Sequence, residues 1–246
     1  LRSPPKLQRP KKQIRMSYKY GPSIVTDGLV FYVDAANNNS YPGSGTTWSD
    51  LVGSNDGTLT NGPTFDSANA GSVVFDGVDD YTQFNQSISL TEATFIAWIK
   101  RDGQQDGWAG ILFSRGTGAG TLGLNYRSNT NQIGYHWYET WSSATSPSTY
   151  NWVSGLTLPD GEWCMVVLSV SSTAATAYLC QESGITSATN TISHPPVTLG
   201  GCAIGRDPFT ASRSMSGNCA IGQIYNRALT STEITQNYNA LKNRFI

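Results

Sequence analysis

From residue 23 onward, apolar residues come in short bursts divided by Gly, Asn, Asp, Ser and Pro. IVTDGLVFYVDAAN reads as a strand bent at Gly28, and SVVFD and YTQF as short strands on either side of an aspartate-rich turn. TFIAWIK, GILFSR, TLGLNYR, QIGYHWYE, EWCMVVLSV and TAYLCQ follow, each bounded by turn formers. Strands recurring at roughly ten-residue intervals with turn signals between them predict an all-β sandwich or barrel and argue against βαβ units. The stretch NNNSYPGSGTTWSDLVGSNDGTLTNGPTF reads as one long polar loop with Trp48 as its large anchor. Helical periodicity appears once, in LTSTEITQNYNALKNRF. There Thr230 or Ser231 serves as N-cap with Glu233 following, and Ile234, Tyr238 and Leu241 share a face. No repeat of fixed period is evident.

Composition agrees with many short strands: 38% hydrophobic and 13% charged residues, with 25 glycines. A chain of 246 residues fits a single large β domain and buries a core that needs no covalent staples. No apolar run has the length of a membrane-spanning helix and no secretory signal is present, so a soluble protein without membrane insertion is expected. The formal charge of −1 hides an asymmetry. Arg2, Lys6, Arg9, Lys11, Lys12 and Arg15 lie in the first fifteen residues, where there is no acid. The other ten of the 16 basic residues face all 17 acids, so the body is a poor match for phosphate backbones and no nucleic-acid binding is expected of it. Residues 1–22 form a basic, Pro-rich arm and 23–246 one domain. The arm cannot build a core of its own. It reads as a solvated or added leader ahead of a start at Met16, as an arm docking on an acidic neighbour, or as a trimmed end.

Candidate chemistry is sparse. Cys164, Cys180, Cys202 and Cys219 show no CxxC spacing, and the only histidines are His136 and His194, which argues against zinc. Cys164 and Cys180 flank an expected hairpin and could lie near enough to bridge, but a domain this large does not need disulfides, so four free, buried thiols are the first reading. Asp76, Asp79 and Asp80 fall within FDGVDDY. Clustered aspartates on a turn suit calcium, which takes six to eight oxygens, but Asp-Gly also starts a hairpin whose carboxylates bond backbone N–H groups. The hairpin is the first reading and calcium the alternative; no other cofactor is expected. No G-x-S-x-G occurs, so a serine nucleophile is not expected. The densest signal is aromatic: IGYHWYETWSSATSPSTYNW. Alternation sends Ile133, Tyr135 and Trp137 to the core face, leaving Tyr138, Trp141, Tyr150 and Trp152 as candidates for an exposed platform. Such a platform stacks on sugar rings; the same residues also suit inter-sheet packing and protein contacts.

The series GLVFYVDAAN, TTWSDLVG, DGTLTNGPTF, VVFDGVDDY, TFIAWIK, LPDGEWCMVVLSV, AIGRDP and IGQIYNRALTSTEITQNYNALKNRF resembles the laminin-G-like branch of the concanavalin A-like lectin/glucanase superfamily. The resemblance runs from Ser23 to the C-terminus and implies a jelly-roll sandwich of two antiparallel sheets with a short C-terminal helix. It also implies core roles for Trp48, Trp98 and Trp163. Hydrolytic relatives carry Glu-x-Asp-x-Glu on one strand; Glu92, Glu139, Glu162, Glu182 and Glu233 form no such pattern. Asp76 and Asp80 are the remaining pair to be weighed for a hydrolase. Related pentraxins hold calcium in two acidic loops, which correspond here to GTGAGTLGL and GRDPFTASRSMSG; only Asp207 is left of their carboxylates. The opening MSYKYGPSIVTDGLVFYVDAAN resembles stand-alone members encoded by tailed, above all marine, bacteriophages. That likeness implies a non-enzymatic virion surface protein, a capsid decoration, head fibre or tail-associated part, present as a homo-oligomer or in many copies. Its partners would be capsid or tail proteins and host-surface polysaccharide. The alternatives are a lectin-like adhesin not tied to a virion and a polysaccharide hydrolase.

Overall fold

Runs such as TFIAWIK and WCMVVLSV are apolar at nearly every position, so a sheet built from them has to be covered on both faces. The computed structural model, which describes residues 22–116 and 119–246, does this with a second sheet on one side and a helix on the other. The six basic side chains of the arm lie outside the described residues.

Eight strands form the first sheet. Their order is β13 (Gly184–Asn190), β12 (Ala175–Gln181), β11 (Trp163–Val170), β7 (Ala93–Arg101), β15 (Ser216–Tyr225), β5 (Ser72–Asp76) and β4 (Thr64–Asp66). β1 (Leu29–Asp34) also pairs with β15, beyond the segment that β5 occupies. Seven strands form the second: β10 (Ile133–Tyr138), β9 (Thr121–Tyr126), β8 (Gly110–Ser114), β14 (Val197–Ile204), β6 (Tyr81–Leu90), β3 (Gly57–Thr60) and β2 (Thr47–Trp48). Every pairing between these strands is antiparallel, as the expected jelly roll requires.

Alternation sorts each strand between two cores. In β11, Cys164, Val166, Leu168 and Val170 enter the core between the sheets, while Trp163, Met165 and Val167 point outward. The outward set is closed by α1 (Ser231–Leu241). This helix starts as expected: Thr230 Oγ1 accepts the Glu233 amide at 3.3 Å and a Glu233 carboxylate oxygen accepts the Thr230 amide at 2.9 Å. Under the helix the fully buried Trp98 stacks on Tyr238 at 5.7 Å and on Phe245 at 4.3 Å between ring centroids. The inner core is equally aromatic: Phe84 meets Phe31 edge-on at 4.8 Å, and a Cβ at Gly57 would overlap the Phe84 ring. Trp48, Trp98 and Trp163 are all buried.

Two expectations need correction. The long loop after the first strand contains β2, β3 and β4, whose short polar-rich segments carry too little alternation to show in the sequence. FDGVDDY is no hairpin tip: β5 lies in the eight-stranded sheet and β6 in the seven-stranded one, so the turn carries the chain across the sandwich. Cys164 and Cys180 do not bridge, and all four cysteines are free, buried thiols as expected. Cys180 stands opposite Met165, one residue out of register with Cys164, so one thiol points inward and the other outward.

Replacing Trp98 with Ala is expected to cost about 3–5 kcal/mol in denaturant unfolding, since it leaves the helix above an aromatic-sized void. Burial pushes the thiols of Cys180, Cys202 and Cys219 up to about 12 and raises that of Cys164 as well. A thiol-specific reagent is therefore expected to leave all four unmodified in the folded protein and to label them all after denaturation.

Candidate functional site

Among the described residues no helix covers the outer face of the seven-stranded sheet; loops lie over it. The segment after β10 folds back and closes that strand's free edge, with the Trp137 amide donating to Thr149 O at 3.1 Å and the Ile133 amide to Leu156 O at 2.9 Å. It carries a single 3-10 turn, Trp141–Ser143, held by reciprocal Thr140 and Ser143 side-chain bonds. The sequence then lays an aromatic series from the sheet to the surface. His136, buried on β10, meets Phe113 edge-on at 5.2 Å and stacks on Tyr150 at 5.8 Å. Trp141 leans on Tyr150 at 5.3 Å and on Tyr138 at 5.9 Å.

Of the four candidate platform residues, Tyr138, Trp141 and Tyr150 are brought together, and Trp152 is not. Trp152 turns toward the inner core and meets Tyr135 edge-on at 5.8 Å. Tyr138 faces outward as alternation requires but is only 3% exposed, because Trp141 and Tyr150 lie over it; the expectation of an exposed ring is corrected there. Trp141 is 65% exposed. Beside it opens a cavity of about 300 Å³ whose lining includes Arg115, Thr121, Tyr138, Glu139, Trp141 and Phe209. Phe209, 70% exposed, comes from the loop after β14. Arg115, Thr121, Glu139 and Phe209 were not legible as site residues, since four separate stretches of chain deliver them; the isolated Phe in GRDPFTASR was the one available signal.

The electrostatics around the cavity are set by Asp207. It is fully buried, and its Oδ2 accepts Nη1 of Arg115 at 2.6 Å and Nη1 of Arg213 at 2.9 Å. Both arginines occupy this carboxylate, so it is not disposed as a cation ligand. Next to it His136 Nδ1 lies 2.9 Å from Asn125 Nδ2, which makes Nδ1 the acceptor and places the imidazole proton on Nε2. Burial, with help from Arg115 and Arg213, pushes His136 down to about 3. Across the inner core, burial pushes His194 down to about 4.

The aspartate cluster satisfies itself. Asp76 Oδ1 accepts the amides of Val78, Asp79 and Asp80 at 2.8, 3.3 and 3.4 Å, and Asp80 Oδ2 accepts the Asp76 amide at 3.2 Å. These amides hold the Asp76 carboxyl below its usual range, while burial and the neighbouring Asp76 raise that of Asp80. The three carboxylates offer oxygens within 4.8 Å of one another, but Asp76 Oδ1 is already taken up by the turn. What the residues do together is cap the inter-sheet crossing.

A larger cavity, about 580 Å³, lies on the other side of the sandwich, lined among others by Glu162, Trp163, Glu182 and Phe245. Its aromatic rings belong to the core under α1 and present no free face, so the aromatic cavity near Trp141 is the better candidate.

The family description "Concanavalin A-like lectin/glucanases superfamily" matches residues 75–235. The chain belongs to this superfamily. Among solved structures, Trypanosoma rangeli sialidase in complex with sialic acid superposes with a TM-score of 0.61 at 18% identity, covering 91% of this chain and 34% of the sialidase. Domain 4 of AbnA, a GH43 extracellular arabinanase from Geobacillus stearothermophilus, in complex with arabinotriose, gives 0.61 at 17% identity over 85% of this chain and 97% of that domain. The botulinum neurotoxin serotype D binding domain gives 0.57 at 12%, covering 86% of this chain and 51% of its own. At such identities the likeness is one of fold, and the chain spans about a third of the sialidase. No curated protein matches the chain in sequence. The lectin-like sandwich of this superfamily therefore supplies the frame on which the aromatic cavity sits.

Both histidines titrate lower in the fold than their unfolded value near 6.5, so the unfolded chain binds protons that the native state refuses. Stability is expected to be full above about pH 6.5 and to fall as the pH drops toward 4, by up to about 1.4 kcal/mol per pH unit for each imidazole. In His136→Phe the slope measured by denaturation across that window is expected to fall by up to about half, whatever the change in absolute stability.

Proposed function

We propose that the chain is a carbohydrate-binding module that stacks a sugar ring in the cavity between Trp141 and Phe209. The observation that carries this reading is an indole left 65% exposed yet held from behind by Tyr150 and Tyr138, beside a polar-edged cavity. Exposed aromatic area of this kind disfavours the isolated protein unless a partner covers it. Sugar C–H faces suit such rings, while Thr121, Thr140 and Glu139 at the rim suit hydroxyls. The arabinotriose on the arabinanase domain and the sialic acid on the sialidase are consistent with a sugar ligand. Binding without hydrolysis is the form we favour. Most glycosidases act with a pair of carboxyl groups, whereas Glu139 is the sole acid lining this cavity among the described residues and Asp207 is held by two arginines.

The setting we propose is the surface of a tailed-phage particle, where many copies would convert weak single-site binding into avidity. Its support is the resemblance of the opening residues to phage-encoded proteins, together with the basic arm as a means of docking on capsid or tail. Deleting residues 1–15 is expected to abolish incorporation into particles, read by copurification, while the soluble domain keeps its fold.

Trp141→Ala is expected to weaken binding to host-surface polysaccharide at least tenfold in a depletion or titration assay. Its thermal stability should stay within about 1 kcal/mol of the parent, because the indole is mostly exposed. Release of reducing ends from any bound polysaccharide would contradict the non-hydrolytic reading.

A further inference from the structure

Two guanidinium groups converge on one carboxylate beside the aromatic cavity. Asp207 needs only one partner to balance its charge, yet it receives Nη1 of both Arg115 and Arg213, and its Oδ1 also accepts the Phe209 amide at 3.0 Å. A surplus positive charge remains. Arg213 lies 5.0 Å from the Trp108 ring centroid and is not part of the cavity wall. Arg115 lines the cavity, with its side chain 22% exposed, and engages Asp207 through Nη1 alone; among the described residues its Nε and Nη2 form no hydrogen bond.

Two neighbours sharpen what the free guanidinium edge is for. Glu139 lines the same cavity but forms no ion pair with Arg115; its Oε2 accepts the Thr198 amide at 2.7 Å instead. The Tyr138 ring also lines the cavity, but in a residue 3% exposed its hydroxyl is closed off behind Trp141 and Tyr150, so the donors open to a ligand are those of Arg115. Parallel N–H donors from an arginine fork match a planar or tetrahedral oxyanion better than a neutral sugar edge, because the bonds to an anion are charge-assisted at both ends.

We infer that the cavity selects a sugar bearing an anionic substituent, a carboxylate or a sulfate, with the ring on Trp141 and the anion on the free edge of Arg115. This rests on the carbohydrate-binding reading and narrows it. Glu139 is left to accept sugar hydroxyls. General attraction to polyanions does not explain such a preference, since outside residues 1–15 the chain carries ten basic residues against 17 acids.

The test is calorimetric titration of the full chain with galactotriose, trigalacturonate and a sulfated galactotriose. At least one charged trisaccharide is expected to bind ten times or more tighter than galactotriose, and which one does so separates carboxylate from sulfate. In Arg115→Gln the ratio of charged to neutral affinity is expected to fall to about one, whatever the change in galactotriose affinity; Trp141→Ala is expected to lose all three. Asp207 keeps Arg213 in the glutamine variant, and Arg115→Lys, which retains charge without the fork, is expected to fall between the two. Residues 1–15 are present in every variant, so their charge cancels from the comparison. Equal affinity for neutral and charged sugars, or a preference that survives Arg115→Gln, would overturn the inference and leave the carbohydrate reading standing. Binding to none of the three would overturn both.

Discussion

The architecture turns on one requirement: the strands at the centre of the eight-stranded sheet are apolar on both faces, and each face has to be covered. β7 and β11 place Phe95, Ile99, Val166 and Leu168 inward and Trp98, Trp163 and Met165 outward. The inward set is met by the second sheet. The outward set is met by α1 and the residues that follow it, through Trp98 stacked between Tyr238 and Phe245. A buried Asn237–Tyr225–Val25 network ties the helix, β15 and the start of the described chain into one unit. Arg244 fastens the C-terminal segment to Asp34 on β1 at 2.6 Å. The covering helix is thus part of the core and not an appendage.

The second sheet has an outer face with the opposite solution. Its β10–β8 end carries His136, Asn125 and Phe113 in place of an apolar stripe, and no helix among the described residues lies over it. Loops cover it incompletely, and the gap between them is where Trp141 and Phe209 stay exposed. Asp207 holds those loops together by drawing Arg115 and Arg213 to one buried carboxylate. The same arginines help burial keep His136 uncharged, so the imidazole serves as a flat stacking base for Tyr150. Packing, electrostatics and the candidate site are therefore one construction on that face.

Much of this was legible residue by residue. β7, β8, β9, β10, β11 and β12 announce themselves as apolar runs between turn formers, and the helix through its Thr230–Glu233 box. β2, β3 and β4 did not, because two to four polar-rich residues carry no period; they exist through pairing with β6 and β5. In the candidate site, alternation along β10 put Tyr135 and Trp137 inside and Tyr138 outside, as found. It could not show that Trp141 and Tyr150 would shelter Tyr138, or that Trp152 would turn back onto Tyr135, since both depend on how a loop folds across a sheet edge.

The FDGVDDY segment marks the same boundary. By itself the sequence determined that Asp76 and its neighbours would form a turn, because Asp-Gly and side-chain-to-amide bonds are local physics. It also determined the strands from β7 to β12, the helix start and the superfamily. Only the tertiary structure decided that the turn crosses between sheets, that Cys164 and Cys180 face opposite ways, and that Arg115, Tyr138, Trp141 and Phe209 meet around one cavity. The physical reason is that strand periodicity and turn chemistry act within a few residues. Register between strands and the draping of loops are fixed by contacts between residues far apart in the chain.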